Sequence, residues 1–253
     1  MEPVLSLRSI TLTYHSPDAE TLAIKDLNLD VERGEFVAIV GPSGCGKSTV
    51  LSIAAGLLKP SSGTATLLGK PIDGANCAIG YMLQRDHLFD WRTIWQNVLL
   101  GLQVRGADTP EAKKHAMQLI KTYGLYDFRN QHPRALSGGM RQRAALIRTL
   151  AMNPEILLLD EPFSALDYQT RLAICEEIST IIRKEQKTAI FVTHDISEAI
   201  SIADRVVVFS GRPATIKKEF IIELPAESPL ARRQMTAFPG YFDAIWKELE
   251  LHV

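Results

Sequence analysis

The sequence has few cysteines, no long apolar run and almost no net charge. Its three cysteines, Cys45, Cys77 and Cys175, form neither a C-x-x-C pair nor an even set, which argues against disulfides and against a zinc site. No stretch approaches the ~18 consecutive apolar residues of a membrane span, and the chain does not start with a basic segment followed by an apolar one, so we expect it to stay in the cytoplasm. The 28 basic and 29 acidic residues leave a net charge of −1. Since proteins that bind nucleic acid usually carry a basic excess, we expect no nucleic-acid partner.

The patterns that are present are typical of an α/β protein. At 253 residues, 46% of them hydrophobic, the chain is long enough for one domain with a full core. Alternating residues from position 5 onward predict an N-terminal antiparallel β-subdomain, and residues of about 87–152 predict an inserted α-helical subdomain. A short tail of about 224–253 follows the last predicted strand. Further apolar runs, with a helix predicted at 167–184, indicate a parallel sheet with strands at 36–40, 156–159, 189–193 and 206–209.

A glycine-rich segment follows the buried strand at 36–40. It fits the spacing G-x-x-x-x-G-K-[ST], in which backbone N–H groups surround phosphates, the lysine reaches the β- and γ-phosphate oxygens and the hydroxyl binds Mg²⁺. A helical pattern starts at Val50, so strand, loop and helix follow one another as a phosphate-binding loop requires. The predicted nucleotide-binding residues are Gly41, Pro42, Ser43, Gly44, Cys45, Gly46, Lys47, Ser48 and Thr49.

Two adjacent carboxylates, Asp160 and Glu161, follow the strand predicted at 156–159. They lie beside the phosphate loop if this strand is a neighbour of the one before the loop. Mg²⁺ keeps several waters and takes few protein oxygens, so Ser48 and Asp160 suffice as its ligands. Glu161 is then free to orient or deprotonate an attacking water. The alternative is that both carboxylates only cap the helix that follows, together with Pro162.

A second glycine-rich segment, L-S-G-G-M at 136–140, precedes another helical pattern. Ser137 can cap this helix, and Gly138 and Gly139 leave its first amides exposed, which predicts a second anion site. A plain capped helix explains the serine but not two glycines, each costing about 1 kcal/mol relative to alanine. We therefore expect a ligand to approach this backbone closely.

Together these segments resemble the ATP-binding subunit of ABC transporters, and the resemblance covers nearly the whole chain. It implies a P-loop ATPase core that binds ATP and Mg²⁺. It also implies a head-to-tail homodimer in which residues 136–140 complete the nucleotide site of the partner subunit and Ser164-Ala165-Leu166-Asp167 crosses the interface. One chain carries one half of each site, so two composite sites are expected.

The resemblance also assigns roles to single residues. Gln84 matches a glutamine that senses Mg²⁺ and the γ-phosphate, and His194 matches a histidine that contacts the γ-phosphate. Tyr14 matches an aromatic residue that stacks on adenine, although the adjacent His15 competes for this role. The expected catalytic residues are Lys47, Gln84, Glu161 and His194, and the expected metal ligands are Ser48, Gln84 and Asp160.

Cys45 gives a chemical expectation for the phosphate loop. Its plainest role is that of a small side chain that fits. Because a helix N-terminus lowers the pKa of a thiol, we also expect an alkylating reagent to inactivate the ATPase, and bound ATP to protect it.

Large apolar residues cluster between Leu88 and Trp91, with Trp95 close behind. Such a cluster on a loop is typical of a partner surface, whereas the alternative is packing within the helical subdomain. In the family that the chain resembles, this region receives a cytoplasmic helix of a transmembrane permease. The resemblance therefore implies a peripheral protein at the cytoplasmic face of the membrane.

Within the family, the chain looks like the importer ATPases for nitrate, sulfonates, taurine and related small solutes. The similar segments are 88–93, the L-S-G-G-M-R-Q-R motif at 136–143, 197–205 and 231–246. The expected solute is small and anionic, and an extracytoplasmic solute-binding protein is an indirect partner. That group often has Leu-Pro-Trp where this chain has Phe89-Asp90-Trp91.

Two alternatives are non-transport ABC ATPases of DNA repair or translation, and a P-loop kinase or nucleotide switch. Chromosome-type relatives place a long coiled coil between the phosphate loop and the second glycine-rich segment, and Lys47 and Ser137 are too close together for one. Translation-type relatives usually carry two such domains in one chain. A kinase or switch explains residues 41–49 but leaves 137–142 without a role.

Overall fold

A computed structural model describes residues 2–15, 19–164, 166–225 and 228–250 of the chain. The first sheet is antiparallel, as expected, and has the strand order β2-β1-β4-β5. It is built from β1 (Leu5–His15), β2 (Glu20–Val31), β4 (Ser62–Leu67) and β5 (Lys70–Pro71). Ser164, Leu166 and Asp167 of the segment expected to cross an interface are described, and Ala165 lies outside the described residues.

The second sheet has six strands in the order β10-β9-β3-β8-β7-β6. Its strands are β3 (Phe36–Val40), β6 (Ile79–Met82), β7 (Ile156–Asp160), β8 (Thr188–Val192), β9 (Arg205–Phe209) and β10 (Ile216–Ile221). Five neighbouring strands pair in parallel, namely β9, β3, β8, β7 and β6. Strand β10 joins the edge of the sheet, antiparallel to β9. The predicted parallel sheet is thus confirmed, with each predicted strand found to within a residue or two.

Helices cover both faces of this sheet. They are α1 (Lys47–Ala54), α2 (Ile94–Val104), α3 (Pro110–Thr122), α4 (Gly138–Leu150), α5 (Tyr168–Lys184), α6 (Ile196–Ile202), α7 (Pro229–Arg233) and α8 (Phe238–Glu250). Helices α2 to α4 stand between β6 and β7, within the range predicted to be helical. None of the helices among the described residues combines the length and apolar character needed to cross a membrane.

The strands of the second sheet separate two apolar clusters. Phe36, Ala38 and Val40 of β3 face the cluster formed with α2 to α6, while Val37 and Ile39 face the first sheet and α1. Because successive strand residues point to opposite faces, a strand buried on both sides is a continuous apolar run. That is why these strands were visible in the sequence.

One sequence expectation needs correction. Helix α1 starts at Lys47, not at Val50, because Gly46 at its N-cap has a φ of 122° that turns the chain directly into the helix. Lys47 and Ser48 therefore lie in the first helical turn. The tail from residue 224 holds α7 and α8, and Arg232 fixes it by donating hydrogen bonds to the carbonyls of Leu224 and Ala203 at 3.0 and 2.8 Å.

Gly56 ends α1 and provides a test of this packing. Its φ of +71° and the neighbouring backbone of Gly74 leave no room for a Cβ, whereas Gly34, with a φ of +77°, has no heavy atom within 4 Å of a built Cβ. We expect Gly56→Ala to lower the free energy of unfolding by roughly 2–5 kcal/mol, from backbone strain plus overpacking. Gly34→Ala, the control, should lose only about 1 kcal/mol. Urea unfolding followed by circular dichroism measures both, and equal losses would contradict the assigned contact at Gly56.

Candidate functional site

The carboxyl ends of β3 and β7 open into a cavity of about 600 Å³. Parallel strands present their carboxyl ends at one edge of a sheet, where ligands of α/β proteins bind. Residues from both sheets line this cavity: Tyr14, Thr21, Ala23, Ser43, Gly44, Gly46, Lys47, Ser48, Thr49, Gln84, Asp160, Glu161 and Arg212. Most of the residues predicted from the first glycine-rich segment are in this set.

The phosphate loop needs its glycines for conformation and for space. A Cβ on Gly46, whose φ is +122°, would lie 3.3 Å from the carbonyl oxygen of Ala23, and a Cβ on Gly41 would lie 3.0 Å from Cβ of Phe209. Lys47 is 6% exposed, and its ammonium donates hydrogen bonds to the carbonyl oxygens of Gly41 and Pro42 at 2.8 and 2.9 Å. The loop therefore holds a positive charge beside the first-turn amides of α1, a site that favours an anion.

Gly41, Pro42 and Cys45 do not line the cavity. Gly41 and Pro42 contribute carbonyl oxygens to Lys47, and Cys45 is buried with 2% of its surface exposed. Burial raises the pKa of the Cys45 thiol and outweighs the nearby Lys47 charge, which lowers it. The expectation of a reactive Cys45 with a lowered pKa is wrong, because the side chain points into the apolar cluster and not toward the cavity.

Asp160 and Ser48 meet at the floor of the cavity. The Ser48 hydroxyl donates to Oδ1 of Asp160 at 3.0 Å, and the Tyr81 hydroxyl donates to Oδ2 at 3.4 Å. Burial raises the pKa of Asp160, and the hydrogen bond from Ser48 opposes this shift. Burial and the Asp160 charge raise the pKa of Tyr81 to about 12, so its hydroxyl stays a donor at neutral pH. Sequence reasoning did not identify Tyr81 as a site residue. The one available signal was its position beside Met82 in a short strand.

Glu161 has an unusual backbone conformation. Its φ is +43°, in the left-handed region that is uncommon for a residue other than glycine. Its amide donates to the carbonyl of Val192 at 3.0 Å, and its Oε2 lies 3.3 Å from Nδ1 of His194. This turn directs the Glu161 side chain into the cavity and toward His194, as the sequence reasoning required. It also rejects the view that Glu161 only caps the next helix, since Asp167 caps α5.

Gln84 reaches the same region from the end of β6. Its amide donates to the Ser164 hydroxyl at 3.1 Å, and that hydroxyl donates to the carbonyl of Glu161 at 3.1 Å. Gln84 lines the cavity and has no direct hydrogen bond with Asp160 among the described residues. Its expected contact with a metal therefore stays a prediction.

Tyr14 lies at the rim of the cavity, where 45% of its surface is exposed. Its hydroxyl is 3.4 Å from the Thr49 hydroxyl, so the ring is held at the edge of the phosphate loop. His15 does not line the cavity and pairs with Glu20 at 3.0 Å. Tyr14, and not the alternative His15, thus lines the cavity, and its stacking on a base stays a prediction.

Arg212 is a cavity residue that sequence reasoning missed. It follows β9, and its guanidinium donates to the carbonyl of Gly44 at 3.0 Å. A lone arginine after a strand carries no spacing signal, and only the packing of the loop after β9 against the phosphate loop brings it here.

The second glycine-rich segment does not reach this cavity. Ser137 accepts a hydrogen bond from the amide of Met140 at 3.3 Å and caps α4, as predicted. Ser137, Gly138 and Gly139 line a different cavity of about 860 Å³. A Cβ on Gly139 would lie 2.5 Å from Cδ1 of Ile174, so close packing against α5 already requires this glycine. The expectation that ligand approach alone explains both glycines needs that correction.

The apolar loop before α2 is partly buried. Leu88 is 9% exposed and Trp95 packs against the core of the helical segment, while Trp91 is 72% exposed. The rings of Phe89 and Trp91 lie 4.7 Å apart. Packing therefore explains Leu88 and Trp95, and Trp91 is the exposed member of the cluster.

Asn97 holds this loop in place, and sequence reasoning missed it. Its buried amide donates to the carbonyls of Phe89, Arg92 and Thr93 at 3.0–3.1 Å and accepts from the amide of Phe89 at 2.8 Å. Four hydrogen bonds to backbone fix the loop that presents Trp91.

The parallel sheet and the phosphate loop define a P-loop nucleoside triphosphatase. Residues 24–164 match the protein family described as ABC transporter, and the chain belongs to this family. It is an ATP-binding, ATP-hydrolysing subunit of a transporter. The family resemblance drawn from the sequence and the predicted fold class are confirmed.

Several relatives are similar over most of their length. An uncharacterized ABC transporter ATP-binding protein, YtlC of Bacillus subtilis, is 49% identical over 97% of this chain and 95% of its own. The nitrate import ATP-binding protein NrtD of Synechocystis sp. is 40% identical over 88% of this chain and 84% of its own. The aliphatic sulfonates import ATP-binding protein SsuB of Bacillus licheniformis is 41% identical over 87% and 86%.

Among solved structures, the chain is similar to the ATP-binding cassette MJ0796 in a dimeric, post-hydrolysis state bound to ADP and Pi. The TM-score is 0.73 at 33% sequence identity, and the match covers 87% of this chain and 99% of the other.

The cysteines allow a direct test of the packing beneath the phosphate loop. Cys77 is exposed and Cys45 is buried, so we expect an alkylating reagent at neutral pH to modify Cys77 and leave Cys45 and the ATPase rate unchanged. Peptide mass spectrometry locates the label, and Cys77→Ser is the control that should remove it. Rapid labelling of Cys45 in the folded Cys77→Ser protein would contradict the assigned burial.

Proposed function

We propose that two copies of this chain hydrolyse ATP between them and so drive the import of a small anionic solute through a transmembrane permease. The observation that carries the proposal is the separation of the two glycine-rich segments, which line different cavities of one chain. A phosphate loop and a capped helix start, each open on one side, fit a pair of sites completed by two chains in head-to-tail arrangement.

Catalysis in this proposal depends on position and charge. Phosphoryl transfer needs little covalent help from the protein, so the groups that stabilise charge and orient water are decisive. Lys47 and the first amides of α1 face the β- and γ-phosphates, and Ser137 with Gly138 and Gly139 of the partner chain approach from the other side. Glu161 accepts a proton from the attacking water or orients it. His194, 3.3 Å from Glu161, contacts the γ-phosphate.

The floor of the cavity fits Mg²⁺. The Ser48 hydroxyl and the Asp160 carboxylate supply two adjacent oxygens, and this hard cation takes one or two protein oxygens together with phosphates and water. Gln84 is the third proposed ligand. When bound, Mg²⁺ neutralises the charge that develops on the phosphate oxygens. Asp160 has its second oxygen fixed by Tyr81, so Oδ1 stays directed at Ser48.

Relatives support the proposed direction and solute of transport. Proteins named for nitrate import and aliphatic sulfonate import are 40% and 41% identical to this chain, which supports import of a small anion of that kind. An extracytoplasmic solute-binding protein is then an indirect partner.

The proposed docking site for the permease is the loop at Trp91. This side chain is 72% exposed, and the Asn97 hydrogen bonds hold the loop rigid. A large aromatic on a fixed loop is typical of the centre of an interface. The chain would thereby be held at the cytoplasmic face of the membrane.

The role of Glu161 can be tested by Glu161→Gln. We expect ATP binding to stay near the wild-type level and turnover to fall at least about a hundredfold, because the base is lost while every phosphate contact remains. The variant should accumulate as an ATP-bound dimer on size-exclusion chromatography. Glu155→Gln is the control, since Glu155 precedes the opposite end of β7 and pairs with Arg33. Hydrolysis by Glu161→Gln near the wild-type rate would reject the assigned role.

The docking site can be tested by Trp91→Asp. We expect basal ATPase activity of the isolated subunit to stay within about twofold of wild type, and co-purification with the permease to be lost, because a charge replaces an interface aromatic. Leu57→Asp is the matched control, as Leu57 is also exposed, at 61%, but lies after α1. If the Trp91→Asp protein still assembles as the control does, the docking site is elsewhere.

A further inference from the structure

A buried ionic group lies behind the catalytic edge of the sheet. Glu198 on α6 is 4% exposed, and its Oε2 accepts a hydrogen bond of 2.6 Å from the Thr193 hydroxyl. Its Oε1 lies 3.9 Å from Nε of Arg171, in the first turns of α5. None of these three side chains lines the nucleotide cavity, and the catalytic scheme above makes no use of them.

One end of this group fixes the backbone on both sides of His194. The Thr193 amide donates to the carbonyl of Ile39 at 3.2 Å, which ties the loop to β3. The Thr193 hydroxyl, which donates to Glu198, also accepts from the amide of Asp195 at 3.0 Å. The Thr193 hydroxyl therefore links the residues on either side of His194, and its hydrogen bond to Glu198 sets its orientation.

The other end reaches the segment between the two cavities. The guanidinium of Arg171 donates to the carbonyl of Leu166 at 3.1 Å. Leu166 lines the second cavity, and a Cβ on Gly138 would lie 3.1 Å from its Cδ2. The hydrogen bonds and the ion pair thus form a continuous path from the His194 loop to the Leu166 side chain, which lies against Gly138.

Stability alone does not account for this buried ionic group. Burial raises the pKa of Glu198 and outweighs the hydrogen bond from Thr193 and the charge of Arg171, and a buried ion pair seldom stabilises a fold more than apolar residues would. Nε of Arg171 is buried without a hydrogen-bond partner in the described part of the chain. In some proteins a buried charge fixes a specific geometry despite this cost.

We propose that Glu198 and Arg171 are positioning residues that hold the His194 loop and the Leu166 backbone at a fixed separation. Through them, the geometry of the nucleotide cavity is linked to that of the Ser137 cavity of the same chain. The inference rests on the proposed function, in which these two cavities belong to different composite sites of the dimer. A movement of one site would then be passed through each chain to the other.

Steady-state hydrolysis tests the proposal with Glu198→Gln and Arg171→Lys. The first removes the charge while keeping an acceptor for Thr193, and the second keeps the charge but cannot face Glu198 and the Leu166 carbonyl together. We expect each to lower kcat roughly tenfold and to leave KM for ATP within about twofold, because neither residue contacts the nucleotide.

Arg183→Lys is the matched control. Arg183 lies on the same helix and likewise bonds a backbone carbonyl, that of Ile202 at 2.7 Å, and a carboxylate, that of Asp204 at 2.9 Å. This pair is not part of the path between the cavities, so kcat should stay near wild type even where the melting temperature falls by a similar amount. An equal loss of kcat in the control would show a general effect of stability and overturn the proposal.

The double variant Glu198→Gln with Arg171→Lys separates one path from two independent effects. If the residues act as one unit, kcat falls roughly tenfold, as in each single variant, whereas independent effects multiply to about a hundredfold. Wild-type kcat in the single variants, or a multiplied loss in the double variant, overturns the inference. His194→Ala separates failure of the proposed function from failure of the positioning role. If His194→Ala and Glu161→Gln both retain full turnover, the proposed function fails. If both lose turnover while Glu198→Gln keeps it, only the positioning role fails.

Discussion

The parallel register of β3, β7 and β8 is the constraint on which the site depends. Ile39 and Asp160 both pair with Val192, so the phosphate loop, the Glu161 turn and the His194 loop start at the same level of the sheet. The carbonyl of Val192 receives the Glu161 amide, and the carbonyl of Ile39 receives the Thr193 amide. A slip of one residue would turn every side chain of a strand to the opposite face. The apolar clusters on both faces fix the register of the strands and therefore the relative positions of the phosphate loop, the Glu161 turn and the His194 loop.

Much of this arrangement was predictable from the sequence, because the buried strands are continuous apolar runs and the glycine-rich loop follows one of them directly. The start of α1 at Lys47 was not, since a helical pattern begins only at the first apolar residue, whereas Gly46 sets the backbone turn. The pKa of Cys45 was misjudged because the sequence shows that this residue lies near a helix N-terminus but does not show that packing buries its side chain. Tyr81, Arg212 and Asn97 became visible only once the strands and loops were assembled.

The two glycine-rich segments differ in what their glycines provide. In the phosphate loop, Gly44 and Gly46 have positive φ and allow a backbone path that other residues rarely adopt. In α4, Gly138 and Gly139 are ordinary helical residues that let α5 and Leu166 pack closely. Glycine therefore provides both backbone conformation and space in the phosphate loop, but only space in α4. Sequence spacing alone does not distinguish these two roles.

Lys47 is 6% exposed, and two carbonyls of the phosphate loop accept hydrogen bonds from its ammonium. Holding a long, flexible side chain in one conformation costs entropy, and here that ordering takes place while the chain folds. An incoming phosphate therefore meets an ammonium that is already held at the loop. Recognition at this loop is therefore preorganised, so that part of the free energy of nucleotide binding is invested in the fold before any nucleotide arrives.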